Sequence, residues 1–330
     1  MEFWLPVIYM AAMGFALLVY VILDGYDLGV GMLLPWADEE EKDTMIASIG
    51  PFWDANETWI VLGVGILLIA FPMAHGIVLT HLYIPVTLML IGLTLRGVAF
   101  DLRVKAGDHR KTLWNRAFFA GSLLASLSQG WMLGAYVTGL QSNLTGYLFA
   151  ALIALALPAL YFVLGAGWLL MKTEGQLQQK AIGWARIAIF PMGAGLLLIS
   201  IATPLVSQTI AEKWFAWPNL LMMAPIPILT ACCFGIMLWL VNRKARIERG
   251  QGWVLYVTTV AICLLVSLGL GYSLYPDIII GQMTIWEASA SVKSLLFTLF
   301  GVALTLPAII TYTIVIYRIF HGKAADLSYD

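Results

Sequence analysis

Residues 6–34 read PVIYMAAMGFALLVYVILDGYDLGVGMLL, an apolar run whose only charges are Asp24 and Asp27. A helix rises about 1.5 Å per residue, so roughly 20 such residues cross the hydrocarbon layer of a bilayer. The run therefore predicts a membrane span. Working outward, the same reading gives spans at 52–72, 77–98, 117–140, 146–171, 184–208, 219–241, 253–275 and 295–319. In lipid, backbone polar groups must be satisfied within each segment, and these runs are too long for barrel strands. The expected fold is all-α: a polytopic transmembrane bundle of about nine spans forming a single integral membrane domain over residues 1–330.

Composition agrees. Of 330 residues, 61% are hydrophobic and 11% charged, where a soluble domain carries roughly 25% charged residues. The longest pieces between spans are 35–51, 99–116 and 276–294, and no fixed-period repeat is visible. The start, Met1-Glu2-Phe3-Trp4, lacks a basic stretch and a small-residue cleavage site, so it reads as a retained first span. Cys232, Cys233 and Cys263 form neither a disulfide framework nor a metal pattern and read as apolar packing residues.

Lys and Arg in alternate loops set the orientation. One set of loops holds 16 of the 18: Lys42, Arg96, Arg103, Lys105, Arg110, Lys111, Arg116, Lys172, Lys180, Arg186, Arg243, Lys244, Arg246, Arg249, Arg318 and Lys323. The other holds Lys213 and Lys293. This predicts an outside N-terminus, a cytoplasmic C-terminus and an odd number of spans. Tryptophans 4, 36, 114, 214, 217 and 253 fall at span ends, as interfacial aromatics do.

Ionisable residues inside spans are costly and therefore informative. Asp24 lies twelve residues before Trp36, roughly 18 Å along the helix. Asp24 and Asp27 share a helix face, and glycines 25, 29 and 31 thin that helix so a neighbour can approach. Span 2 opens Gly50-Pro51-Phe52-Trp53-Asp54-Ala55-Asn56-Glu57-Thr58-Trp59. Asp54 suits a helix first turn, whereas Glu57 lies a turn deeper. Trp53, Asn56 and Glu57 are expected on one face, with Asp54 at its border. Four carboxylates on one hairpin repel if all are ionised, so part of the cluster is expected to carry protons near neutrality. Proton handling, pairing with Arg96 at the end of span 3, and cation binding all fit these residues.

Elsewhere, Tyr275-Pro276-Asp277 and Thr284-Ile285-Trp286-Glu287-Ala288-Ser289 are expected to form a solvated turn before span 9, the alternative being a re-entrant piece packed on a partner. His75 and His81 bracket an outer loop, His109 lies in a basic loop and His321 at the tail. No pair sits on two spans at matching depth, as a bis-histidine haem requires, so no haem or metal site is expected here. Phosphate-loop, dinucleotide and CxxC motifs are absent from the sequence.

Residues 24–33, Asp24-Gly25-Tyr26-Asp27-Leu28-Gly29-Val30-Gly31-Met32-Leu33, resemble the first-span signature of subunit II of cytochrome bd-type quinol oxidases. Residues 48–59 resemble that family's second signature. Arg96-Gly97-Val98-Ala99-Phe100-Asp101-Leu102-Arg103 and Trp286-Glu287-Ala288-Ser289 match two further segments in order. Glu57 and Thr58 depart from the best-known branch, and the short chain looks more like the cyanide-insensitive branch. The resemblance implies a heterodimer in a bacterial plasma membrane. Its larger subunit I carries haem b, haem d and the quinol site, taking ubiquinol or menaquinol and reducing oxygen to water. It allows for a small single-span accessory subunit and a structural quinone. It further implies a proton route at the position of Asp54, which Asp24, Asp27 and Glu57 would extend with Trp53, Asn56, Arg96 and Asp101 in support, and an oxygen path near Trp59. A different class also fits the carboxylates: a proton- or cation-coupled secondary transporter with a helix broken at residues 25–31. A pure assembly scaffold is a third reading.

Overall fold

The computed structural model describes residues 2–105 and 107–324. Long helices dominate it. α1 (Trp4–Leu33) is followed by a short surface helix, α2 (Glu39–Ile49), and then by α3 (Trp53–Ala70) and α4 (Pro72–Lys105). α5 (Asp108–Val137), α6 (Leu144–Lys172) and α7 (Gly175–Val206) continue the bundle. Two short helices, α8 (Gln208–Phe215) and α9 (Asn219–Met223), lead into α10 (Pro225–Val241). The single turn α11 (Lys244–Arg246) precedes α12 (Trp253–Leu274), and α13 (Ile285–Ala288) precedes α14 (Val292–Ile319).

Eight of these segments are long and apolar enough to cross a membrane, with Asn219–Val241 counted as one. The ninth expected span, 117–140, falls in α5, which is 30 residues long but less apolar than the eight. The physical reason is visible along its length: Asn115, Ser122, Ser126, Ser128 and Gln129 are all buried. Their polarity turns inward, against other helices of the bundle. Helices also overrun the expected spans. α4 has 34 residues, about 51 Å of helix, and carries Arg96 and Arg103 within its last turns. His75 and His81 therefore lie inside α4 and not around a loop, because a single residue, Phe71, joins α3 to α4.

α6 is the centre, with 18 of its 29 residues buried. It crosses α1 where two glycines meet. A Cβ on Gly29 would overlap the Tyr161 carbonyl, and one on Gly165 would sit 2.5 Å from the Gly29 carbonyl carbon. Such backbone-to-backbone approach is how helices associate where lipid removes the hydrophobic driving force. α1 runs unbroken through residues 25–31, so the broken helix that a carrier would use is not formed.

Two pieces expected as loops are ordered. Residues 39–49 form α2 behind an Asp38–Glu41 capping box, and Met45, Ile46 and Ile49 plug the bundle. Its charged side pairs Lys180 with Asp38 and Glu41, each at 2.7 Å, and Arg103 with Asp43 at 2.7 Å. At the opposite end, the solvated turn expected before span 9 is instead a cap packed on this chain. β1 (Asp277–Ile279) pairs antiparallel with β2 (Met283–Thr284). Ile278, Ile279, Ile285 and Ala288 are buried. Tyr136 donates to the Ile278 carbonyl, Ala290 N–H donates to the Ala70 carbonyl (2.8 Å), and Trp286 stacks on Phe3.

Candidate functional site

The site forms where α1, α3, α4 and α14 meet near the charged end. Tyr20, Asp24 and Asp27 recur at helical spacing and so share the inward face of α1. On α3, consecutive residues point about 100° apart, which aims Asn56 at α1 and Glu57 at α4. Arg96 reaches in from α4.

Arg96 is the hub. Its side chain is 1% exposed, and one guanidinium nitrogen donates to Asp24 Oδ1 at 2.5 Å while the other donates to Glu57 Oε1. Asp24 is fully buried, whereas the Glu57 side chain is 27% exposed. The ion pairs thus form a graded line from the rim at Glu57, through Arg96, to Asp24 inside. A fork that grips two carboxylates in fixed geometry is what arginine, rather than lysine, supplies.

Asp27, also fully buried, sits outside that fork and is held by Asn56. The Asn56 amide donates to Asp27 Oδ2 (2.8 Å) and to the Tyr26 hydroxyl (2.9 Å). Tyr317 on α14 donates to Asn56 Oδ1 (3.2 Å), and the Tyr26 and Tyr317 hydroxyls lie 2.6 Å apart. A hydroxyl has one proton to give. Tyr317 spends its proton on Asn56, so Tyr26 donates to Tyr317. The result is a closed ring, Tyr26 to Tyr317 to Asn56 and back to Tyr26, whose spare amide hydrogen points at Asp27. Tyr26 is further fixed by stacking on Trp168, centroids 4.1 Å apart.

A second line runs inward: Tyr161 donates to Gln129 Oε1 (2.6 Å), and Gln129 donates to the Tyr20 hydroxyl (2.7 Å), one helical turn from Asp24. Buried polar atoms are normally all satisfied. Here Asp24 Oδ2, Asp27 Oδ1 and Arg96 Nε have no protein partner among the described residues. Each keeps free hydrogen-bonding capacity at the point where the carboxylates meet. One arginine faces three carboxylates, so its single charge does not balance their full formal charge.

The structure brings Asp24, Asp27, Asn56, Glu57 and Arg96 together as the sequence predicted. It does not bring in Asp54 or Asp101. Both are exposed, and neither has a hydrogen bond or ion pair among the described residues. Trp53 packs beside Gly97 and Phe100 on α4, away from the carboxylates. Trp59 is buried against Ala16 and Tyr20 of α1 and Ile309 and Ile310 of α14, edge-on to Phe15. The side chain of His109 lies outside the described residues. Sequence reading missed Tyr20, Tyr26, Gln129, Tyr161 and Tyr317. Gln129 carried a usable signal, an amide in the middle of an apolar run, whereas the tyrosines were indistinguishable among 13.

Comparison with known proteins agrees along most of the chain. The chain is 26% identical over 326 residues to the cytochrome bd ubiquinol oxidase subunit 2 of Bacillus subtilis (strain 168), covering 93% of each. It is 25% identical over 355 residues to the cytochrome bd-I ubiquinol oxidase subunit 2 of Escherichia coli (strain K12), covering 94% of this chain and 92% of that one. A solved chain from the bd oxidase of Geobacillus thermodenitrificans has the same fold, with a TM-score of 0.77 at 19% identity over 96% of this chain and 98% of that one. The family described as cytochrome bd terminal oxidase subunit II matches residues 5–320, and the chain belongs to it.

Proposed function

We propose that this chain is the haem-free second subunit of a quinol:oxygen oxidoreductase in a bacterial plasma membrane. Its buried carboxylate cluster delivers protons from the cytoplasm towards a haem-bearing subunit I. The observation that carries this reading is the Glu57–Arg96–Asp24 line, part-exposed at one end and buried at the other, with Asp27 alongside. In the orientation given by the Lys and Arg asymmetry, its part-exposed end faces the cytoplasm. Asp54, exposed one turn before Glu57, is the entry position, where a surface carboxylate collects protons for the interior. Trp59 and its apolar surroundings would border an oxygen path. Haem b, haem d and quinol oxidation belong to subunit I in this reading. The transporter alternative is not favoured, because it has neither the family nor a broken α1 behind it.

The test is turnover of the purified complex. Asp27→Asn and Asp54→Asn are expected to lower quinol oxidation by tenfold or more while leaving the reduced-minus-oxidised haem spectrum unchanged. Full activity in both variants removes the proton route. Loss of the haem spectrum together with activity supports the scaffold reading instead.

A further inference from the structure

Two sets of cations at the charged end contrast. Around α2 they are neutralised: Lys42 pairs with Glu39, Lys180 with Asp38 and Glu41, and Arg103 with Asp43. The loop 242–252 differs. It carries Arg243, Lys244, Arg246 and Arg249 within seven positions, and none of the four pairs with a carboxylate among the described residues. Its acidic residue, Glu248, accepts instead from Gln179 (2.6 Å). Capping of the α10 C-terminus does not account for these cations either, since the Val241 carbonyl accepts from Arg186 on α7.

What holds the loop cations is an aromatic ring. The Arg243 and Arg246 guanidinium groups lie 4.7 and 4.5 Å from the Trp239 ring centroid. A guanidinium held over a ring face keeps its N–H groups for other partners, and among the described residues only Arg246 Nη1 has one, a long contact to Gln251. Two planar forks are thereby pre-oriented with their donors unspent, the geometry that binds phosphate. Directly below, Trp239 and Ile236 of α10 are exposed, as are Ile187 and Phe190 of α7 beside Arg186. A cationic rim above an apolar wall matches an amphiphile and not a small soluble ion.

We propose that loop 242–252, with Trp239, binds the phosphate of an anionic phospholipid of the facing leaflet, its acyl chains lying along α7 and α10. Juxtamembrane cations attract anionic lipid with about 1 kcal/mol each, about fivefold in affinity. Arg243→Gln/Arg246→Gln is therefore expected to weaken retention about thirtyfold.

The experiment is native mass spectrometry of the whole oxidase complex released from nanodiscs of phosphatidylcholine containing added phosphatidylglycerol. The unaltered complex should keep phosphatidylglycerol that the double variant loses, with phosphatidylcholine adducts equal in both. Equal phosphatidylglycerol retention overturns the proposal. Displacement of the lipid by millimolar inorganic phosphate assigns the forks to a soluble anion and overturns it as well. Should the variant fail to assemble, a photoactivatable phosphatidylglycerol on the unaltered complex decides: labelling at residues 236–253 supports the site, and labelling confined to other segments overturns it.

Discussion

α6 and α14 are helices of nearly equal length, 29 and 28 residues, held in opposite ways. α6 is gripped along its length, backbone against backbone at Gly165 and with most of its residues buried. Of α14, Leu295 is the buried residue, and Phe297, Phe300 and Leu304 are 83%, 80% and 68% exposed. Polar pins fix α14 at its ends. Tyr9 donates to the Leu295 carbonyl (2.8 Å) at one end. At the other, Tyr317 enters the Asn56 ring, and Lys172 donates to the Phe320 (2.5 Å) and Gly322 (3.0 Å) carbonyls. The difference teaches that packing builds the scaffold while hydrogen bonds decide how the last helix meets the site. Between its pins, α14 presents an apolar face suited to lipid or to another apolar helix.

The contrast can be broken in graded steps. Arg96→Met, on the packed side, strands Asp24 and Glu57 without a cation and is expected to cost about 3–5 kcal/mol. Thermal unfolding of the detergent-solubilised complex reads it, and an unchanged midpoint would mean that the cluster is not held by charge. Gly165→Leu should cost about 3 kcal/mol by forcing α1 and α6 apart. Gly301→Leu on α14, where a Cβ meets nothing within 4 Å, should stay within about 0.5 kcal/mol. Equal destabilisation by the two would show that α14 is as tightly covered in the assembled oxidase as α6 is here.

A smaller effect follows from opening the ring. Tyr317→Phe removes two hydrogen bonds, the one Tyr317 donates to Asn56 and the one it accepts from Tyr26, about 2 kcal/mol in all. It should raise hydrogen exchange in the last two turns of α14 and leave α6 unchanged. Exchange that rises in both helices would erase the distinction between pinned and packed. The weakest effect concerns α2. The Lys180 ammonium donates to the Asp38 carboxylate and holds it below the usual carboxylate range. A carboxyl depressed in the folded state stabilises above its unfolded value, near 4, and that contribution is lost as pH falls through the folded value. Protection of the α2 amides, taken relative to their intrinsic exchange rates, should therefore fall on acidification below about pH 4, and Asp38→Asn should weaken that pH dependence.

Much of this was legible in residue order. Hydropathy alone located the spans, because a bilayer demands about 20 apolar residues whatever lies beside them. The costly residues Asp24, Asp27, Glu57 and Arg96 announced themselves by standing in those runs. Helical spacing put Asp24 and Asp27 on one face. Two things escaped. Asp54 was grouped with the cluster because it is three residues from Glu57, yet the turn of α3 leaves it outside. The segment before α14 was taken as solvated because it is polar, although its isoleucines pack onto the chain's own opposite end.

The sequence by itself determined which residues enter the membrane and which of them are chemically expensive there, since both depend on local composition. Only the tertiary structure decided who meets whom: Arg96 choosing Asp24 and Glu57, and Tyr317 crossing from the last helix to close a ring with Tyr26 and Asn56. Those partners lie 39 to 291 residues apart. Their encounter depends on how tightly glycines such as 29 and 165 let the helices approach, which no single segment encodes.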